Sequence, residues 1–139
     1  MKRIGIILIV ITLIAVSVVN SFAVNDSTVL GERNEDYIYT TFITAKLSIN
    51  SQTATCRSTA MVTNGVSKIV LSQKLQKKSG STFTTIKMWT KTVYTTYADY
   101  TNTKSSLPAG VYRVQTVAKV YYTTTEYERA VANSATETI

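Results

Sequence analysis

Residues 107–122, LPAGVYRVQTVAKVYY, decide the fold class of this chain. A proline and a glycine form a corner, and the residues after them alternate between two faces for longer than any other stretch of the sequence. One face carries Tyr112, Val114, Thr116, Ala118, Val120 and Tyr122, and the other carries Arg113, Gln115, Val117, Lys119 and Tyr121. Because successive side chains of a β-strand point to opposite faces, this pattern predicts a half-buried strand of an antiparallel sheet.

Six further segments are also predicted to be strands, and turn-forming residues separate them. Threonine and tyrosine, which fit a pleated surface, occur 24 and 9 times in 139 residues, against one proline. Seven strands without a helical period predict an all-β fold, a single antiparallel β-sandwich, with a barrel as the alternative. The six additional strands are residues 37–49, 52–63, 67–77, 82–94, 97–103 and 126–134.

The N-terminal segment has the features of an export signal. Lys2 and Arg3 precede an uncharged apolar run at residues 4–19, and small residues stand before Val24 at the positions that a signal peptidase reads. We expect a cleavable signal peptide at residues 1–23, a flexible acidic leader at residues 24–37 and a β-sandwich domain at residues 38–139. The alternative is an uncleaved N-terminal anchor, which is the only membrane contact that we expect.

The charge of the chain is distributed unevenly. The leader has a net charge of −3, whereas the chain from residue 38 onward has 12 basic and 4 acidic residues, a net charge of +8. A basic extracellular domain is attracted to anionic wall polymers or acidic glycans by a field that salt screens. Solubility alone is the alternative explanation of the charge.

Cys56 is the only cysteine, so no disulfide can form within the chain. Its alternating neighbours Ala54 and Ser58 place it on a face of small residues. We expect a buried thiol that behaves as a small hydrophobic group, with an exposed thiol used for dimerisation or chemistry as the alternative.

At the corner, Leu107-x-x-Gly110-x-Tyr112 resembles the tyrosine corner of immunoglobulin-like domains. The resemblance implies that the hydroxyl of Tyr112 donates a hydrogen bond to the backbone just upstream. The signal and residues 54–62, 75–81 and 107–114 together resemble small secreted proteins of Gram-positive bacteria that consist of one immunoglobulin-like β-sandwich. Leu107, Gly110 and Tyr112 are therefore expected to have structural roles.

The residues that most enzymes need are scarce. The chain has no histidine, which excludes Ser/His and Cys/His nucleophiles and removes a common metal ligand. From residue 38 onward the acidic residues are Asp99, Glu126, Glu128 and Glu137, and Glu126 and Glu128 share a strand face beside a turn, a usual place for solvated charge. We predict that the chain is not an enzyme and has no cofactor and no metal.

The predicted binding patch centres on the single tryptophan. Lys87, Trp89 and Lys91 alternate along the fourth strand on the face predicted to point outward, and an exposed tryptophan between lysines can stack on a sugar ring or contact an acidic protein surface. The alternative is that Trp89 turns inward and caps the core, since one bulge would exchange it with Met88. The complete patch is Lys74, Lys87, Trp89, Lys91, Tyr94 and Tyr97.

These patterns lead to a functional hypothesis. We expect a secreted, non-enzymatic binding or adhesion module at the cell surface or wall, whose partner is an anionic wall polymer, a glycan or another protein. Nucleic acid is not expected as a partner, because the protein is exported. The alternative is a small secreted effector, such as an inhibitor or a bacteriocin-like protein, that acts through protein contacts.

Overall fold

The computed structural model describes residues 29–30 and 37–139, and this part of the chain is all strand, turn and loop. None of it forms a helix that is long and apolar enough to cross a membrane. The predicted signal peptide and most of the predicted leader lie outside the described residues. The strands are β1 (Val29–Leu30), β2 (Thr40–Asn50), β3 (Thr53–Val62), β4 (Lys68–Ser79), β5 (Thr82–Val93), β6 (Tyr97–Lys104), β7 (Val111–Tyr121), β8 (Tyr127–Asn133) and β9 (Glu137–Thr138).

The strands form two antiparallel sheets, which confirms the predicted all-β class. Sheet A has the order β1-β2-β3-β6, and sheet B has the order β5-β4-β7-β8, with β9 pairing to the first residues of β7. The inner faces of both sheets contribute to one hydrophobic core, so the arrangement is sandwich-like and does not form a single closed barrel. All seven predicted strands are present, and β1 and β9 are two short additions.

The structure confirms the half-buried strand that the alternation of the opening stretch predicts. In β7 the side chains of Tyr112, Val114, Thr116, Ala118 and Val120 are all buried, and β7 lies between β4 and β8 in the middle of sheet B. Paired on both sides, it buries one full face against sheet A, as expected for a central strand.

Two differences between the predicted and the observed elements concern sheet A. The first hairpin turns at Ser51 and Gln52, with φ of 45° and 64°, and Asn50 still pairs with Thr53, so the turn lies one residue later than its sequence indicates. Two positive φ angles give the backbone twist that a two-residue hairpin requires. In addition, Val29–Leu30 pairs with β2, so sheet A includes two residues of the segment assigned to the leader.

The corner before β7 contains the backward hydrogen bond of a tyrosine corner. The hydroxyl of Tyr112 donates to the carbonyl oxygen of Pro108 at 2.5 Å, and the ring is fully buried. Leu107 is also buried, and Gly110 has a φ of 156° with the side chain of Lys77 beside its Cα. A Cβ at Gly110 would lie 2.5 Å from the Cε of Lys77, so glycine gives this side chain room to pass.

The core contains a polar network between the two sheets. The Nε2 of Gln73 on β4 donates to the hydroxyl of Ser58 at 2.9 Å and to the carbonyl of Tyr100 at 3.1 Å, and the Nδ2 of Asn102 donates to its Oε1 at 3.0 Å. The hydroxyls of Ser58 and Thr116 share a further hydrogen bond of 2.6 Å. Because a buried polar group without a partner is costly, this network favours one relative position of the sheets.

Cys56 lies in the same core and pairs across sheet A with Asn102 of this network. Its side chain is fully buried, and desolvation raises the pKa of the thiol to about 12. The expectation of a buried thiol is confirmed, and this thiol is not available on the surface for pairing between chains.

Candidate binding surfaces

The register of β5 places the Lys87–Trp89–Lys91 ladder on the inner face of sheet B. Trp89 pairs with Gln73, and Lys91 and Lys87 pair with Leu71 and Leu75, all three of which are fully buried. Directly paired residues of an antiparallel sheet project on the same side. The prediction that this ladder points outward is therefore wrong, and Trp89 is half-buried and packs against the core.

The two lysines of this ladder remain exposed because β5 is the edge strand of its sheet. The ammonium of Lys87 lies 5.9 Å from the ring centroid of Trp89, and that of Lys91 lies 5.4 Å from the ring of Tyr100. The ammonium of Lys91 also donates to the carbonyl of Asp99 at 3.0 Å. The ladder thus lines the seam between the edges of the two sheets.

The other members of the predicted patch lie elsewhere. Lys74 pairs with Met88 on the opposite face of sheet B, so it does not join the Trp89 ladder. Tyr94 is 76% exposed in the turn after β5, and Tyr97 begins β6 on the outer face of sheet A. The six residues therefore belong to several surfaces and do not form one site.

The outer face of sheet B carries a concentration of positive charge. On the outward-facing positions of β4, β7 and β8, the charged residues are all Lys or Arg, and none is Asp or Glu. Half of the twelve basic residues after position 37 lie there. We call this surface the basic face: Lys68, Lys74, Lys78, Arg113, Lys119 and Arg129.

Two features of the basic face bear on its chemistry. Lys119 and Arg129 are directly opposite one another across β7 and β8, an arrangement of like charges that destabilises a sheet. The ammonium groups of Lys68 and Lys119 lie 4.4 Å and 4.8 Å from the ring centroids of Tyr121 and Tyr127. An anion lying over these cations would relieve the repulsion, and the tyrosine rings offer flat contact area beside it.

Arg113 is held more firmly than the other cations of the basic face. Its Nε donates to the Oε1 of Gln76 at 2.8 Å, and its guanidinium lies 4.1 Å from the ring centroid of Phe83. Burial lowers the pKa of Arg113, although an arginine remains charged at neutral pH. A planar guanidinium fixed in this way presents its remaining N–H donors in one orientation.

The sequence indicates which basic residues share a face of one strand, but not which strands combine to form the basic face. Its alternation assigns Lys68 and Lys74 to one face of β4, and Arg113 and Lys119 to one face of β7. What joins them is the pairing of β4 with β7, whose residues lie more than thirty positions apart in the chain. Local patterns do not reveal which strands become neighbours.

Of the four acidic residues from position 38 onward, Glu128 and Asp99 have carboxylates that are engaged in structural contacts. Glu128 accepts hydrogen bonds from the backbone N–H groups of Ile38 at 2.6 Å and Thr40 at 2.8 Å, and from the Thr40 hydroxyl at 2.6 Å. Asp99 forms a salt bridge with Arg57 at 2.6 Å. The carboxylate of Glu128 thus links the two sheets by hydrogen bonds, and it is not the solvated charge that its position beside a turn suggested. In residues 29–30 and 37–139 no group of acidic and cysteine side chains is arranged to hold a metal ion.

Comparisons with models of protein families, with curated proteins and with solved structures give no match for this chain. The function of the chain must therefore be inferred from the surfaces of the molecule itself.

Proposed function

We propose that the chain is a secreted, non-enzymatic binding module that attaches to an anionic polymer of the cell surface or wall through the basic face. The single observation that supports this most strongly is the presence of six Lys and Arg side chains on one sheet face, with no carboxylate on that face among the described strands β4, β5, β7 and β8. The face extends over about ten residues of β4, or roughly 34 Å, which suits an extended chain of anionic groups.

An immunoglobulin-like architecture is part of the proposal. The strand orders β1-β2-β3-β6 and β5-β4-β7-β8 and the hydrogen bond from Tyr112 to Pro108 support it. The signal-like N terminus supports secretion, and the resemblance to small secreted proteins of Gram-positive bacteria suggests a wall rich in anionic polymers as the place of action. Folds of this kind have many functions, so the proposal rests on the basic face and not on the fold.

A non-enzymatic role is supported by the state of the reactive groups. The chain contains no histidine, Cys56 is buried, and the carboxylate of Glu128 is occupied by backbone donors. A nucleophile needs a nearby base and access to substrate.

The test compares two double variants that remove the same charge from different surfaces. Lys119→Gln with Arg129→Gln removes two cations from the basic face, whereas Lys87→Gln with Lys91→Gln removes two cations from the seam beside Trp89. Binding of each protein, purified from the culture medium, is measured against isolated cell wall over a series of salt concentrations. Retention of the unsubstituted protein is expected to fall as salt screens the attraction.

The first variant is expected to bind about 30-fold more weakly, if each cation contributes about 1 kcal/mol, and the second is expected to bind as the unsubstituted protein does. Cell wall from which the anionic polymers have been extracted should retain neither the variants nor the unsubstituted protein. Equal losses in both variants would mean that only net charge matters, and a loss confined to the second variant would return the site to the Trp89 ladder. Growth inhibition of neighbouring strains without any wall binding would favour the secreted effector instead.

A further inference from the structure

We infer that the chain forms a two-fold symmetric dimer through the outer face of sheet A. The centre of this interface is a row of three partly exposed apolar side chains, one from each of β2, β3 and β6. We call it the apolar row: Phe42, Met61 and Tyr97.

The register makes the apolar row continuous. Met61 pairs with Phe42 on one side and with Tyr97 on the other, so the three side chains stand next to each other on one face. Phe42 and Met61 are each 37% exposed, and Tyr97 is 45% exposed. A contiguous apolar row across three strands is unusual on a solvated face and is typical of the centre of an interface.

The rest of this face is flat enough for a second sheet to approach. Apart from three charged side chains, the positions beside the apolar row on β2, β3 and β6 are short and polar. The hydroxyl groups of Thr44 and Thr59 are hydrogen-bonded to each other on this face. The short residues are Thr44, Ser48, Thr53, Thr55, Thr59, Thr101 and Thr103.

The distribution of charge favours this face over the basic face as the place where a second copy of the chain docks. A domain with a net charge of +8 repels its copies, and the basic face repels them most. On the described strands β2, β3 and β6, the charged side chains of the outer face are Lys46, Arg57 and Asp99, and Arg57 and Asp99 form a salt bridge at 2.6 Å. This outer face is therefore the sheet face on which two copies meet with the least repulsion.

A two-fold axis that passes beside Met61, parallel to the strands, would bury the apolar row of each copy against that of the other. It places Phe42 of one copy against Tyr97 of the other and brings the two Met61 side chains together, as an isologous interface requires. Three strands of about ten residues have a projected area of roughly 500 Å². This is below the roughly 800 Å² per partner of a standard interface, so a weak dimer with a dissociation constant in the micromolar range is expected.

The dimer has a consequence for binding that rests on the proposed function above. With the outer faces of sheet A together, the two basic faces point in opposite directions. A repeating anionic polymer then meets a bivalent protein, and simultaneous contacts raise the apparent affinity without a new contact.

The experiment is sedimentation velocity on the protein purified from the culture medium, from about 1 µM to about 1 mM. Met61→Glu places two carboxylates together on the proposed axis, and Met88→Glu is the matched control, because Met88 is an exposed methionine on the outer face of sheet B. Tyr97→Lys is a second variant of the apolar row. Circular dichroism melting of each protein confirms that it is folded.

We expect the average mass of the unsubstituted protein and of Met88→Glu to rise toward the dimer value with concentration. At each concentration Met61→Glu and Tyr97→Lys should show far less dimer than the unsubstituted protein, a loss of about 100-fold or more in dimer affinity. An unsubstituted protein that stays monomeric up to 1 mM, or dimers of Met61→Glu equal to those of Met88→Glu, would overturn the inference. So would a monomer that instead floats with lipid vesicles through Phe42 and Tyr97.

Different results would contradict the proposed wall binding and the proposed dimer. A dimer that does not bind cell wall contradicts the proposed function and leaves the interface intact. A monomeric Met61→Glu protein is expected to bind wall with reduced retention, because each copy keeps its own basic face and loses only bivalence.

Discussion

Replacing Glu128 with glutamine tests whether a single carboxylate holds the start of β2 against β8. The carboxylate lies between the sheets and accepts hydrogen bonds from residues almost ninety positions away in the chain: from the N–H groups of Ile38 at 2.6 Å, Tyr39 at 3.2 Å and Thr40 at 2.8 Å, and from the Thr40 hydroxyl at 2.6 Å. Every partner is a donor. Glutamine keeps the shape of the side chain but replaces one acceptor oxygen with an NH₂ group, which faces those donors and leaves part of them without a partner.

The magnitude follows from hydrogen bonds to a charged acceptor. Such a bond contributes about 1.5–3 kcal/mol when buried, and because Glu128 is only partly buried we expect the free energy of unfolding to fall by about 1.5 kcal/mol. For a domain of this size that corresponds to a melting temperature lower by roughly 6–10 °C. Thermal melting and urea unfolding at pH 7 measure both quantities. Glu126→Gln is the control, because Glu126 is exposed and its loss should cost less than about 0.5 kcal/mol.

The pH dependence gives an independent check on the mechanism. Partial burial raises the pKa of Glu128, but the hydrogen bonds from Thr40, Tyr39 and Ile38 outweigh it, and the pKa lies below its ordinary value. The unfolded chain therefore binds the proton more readily than the folded protein, so the stabilisation is complete above about pH 4.3 and is lost as the pH falls through the folded pKa. The stability difference from Glu128→Gln should shrink in that acidic range. If Glu128→Gln and the unsubstituted protein were equally stable at pH 7, or if their difference in stability stayed constant on acidification, the proposed role of the Glu128 carboxylate would be refuted.

Three further predictions concern the core. Tyr112→Phe removes the hydrogen bond to Pro108 and should lower the free energy of unfolding by about 1 kcal/mol, with wall binding unchanged. An unaltered melting temperature would show that this hydrogen bond does not stabilise the fold. Gln73→Leu leaves the hydroxyl of Ser58 and its neighbours without an amide partner and should cost about 2 kcal/mol by urea unfolding, whereas a neutral result would mean that the polar network contributes nothing to stability. Cys56, with its pKa raised to about 12 by burial, should not react with a thiol-specific reagent at pH 8 until denaturant is added; rapid labelling of the folded protein would disprove its burial.

The sequence predicted well those features that depend on neighbours in the chain. The alternation in β7 indicated a half-buried strand, and the alternation around Cys56 indicated a buried thiol; the structure confirms both. The spacing of Leu107, Gly110 and Tyr112 indicated a backward hydrogen bond, which the structure contains. Each of these depends on the two-residue period of a strand or on the geometry of one turn.

The candidate site was predicted less well, and β5 shows the reason. An edge strand has neither face fully covered, so lysines can occupy its inner face and still reach solvent. The composition of Lys87, Trp89 and Lys91 therefore does not reveal which face is inside. The pairing of Trp89 with Gln73 decides it.

By itself, the sequence determined the all-β class, the approximate position of each long strand and the half-buried character of the central strand, because a strand with one buried face must alternate polar and apolar residues locally. Only the tertiary structure decided which strands are neighbours and which distant groups meet. The pairing of β4 with β7 assembles the basic face, the order β2-β3-β6 aligns the apolar row, and packing of the sheets brings Glu128 to the start of β2. These contacts join residues far apart in the chain, and no local pattern records which of the possible pairings has the lowest free energy.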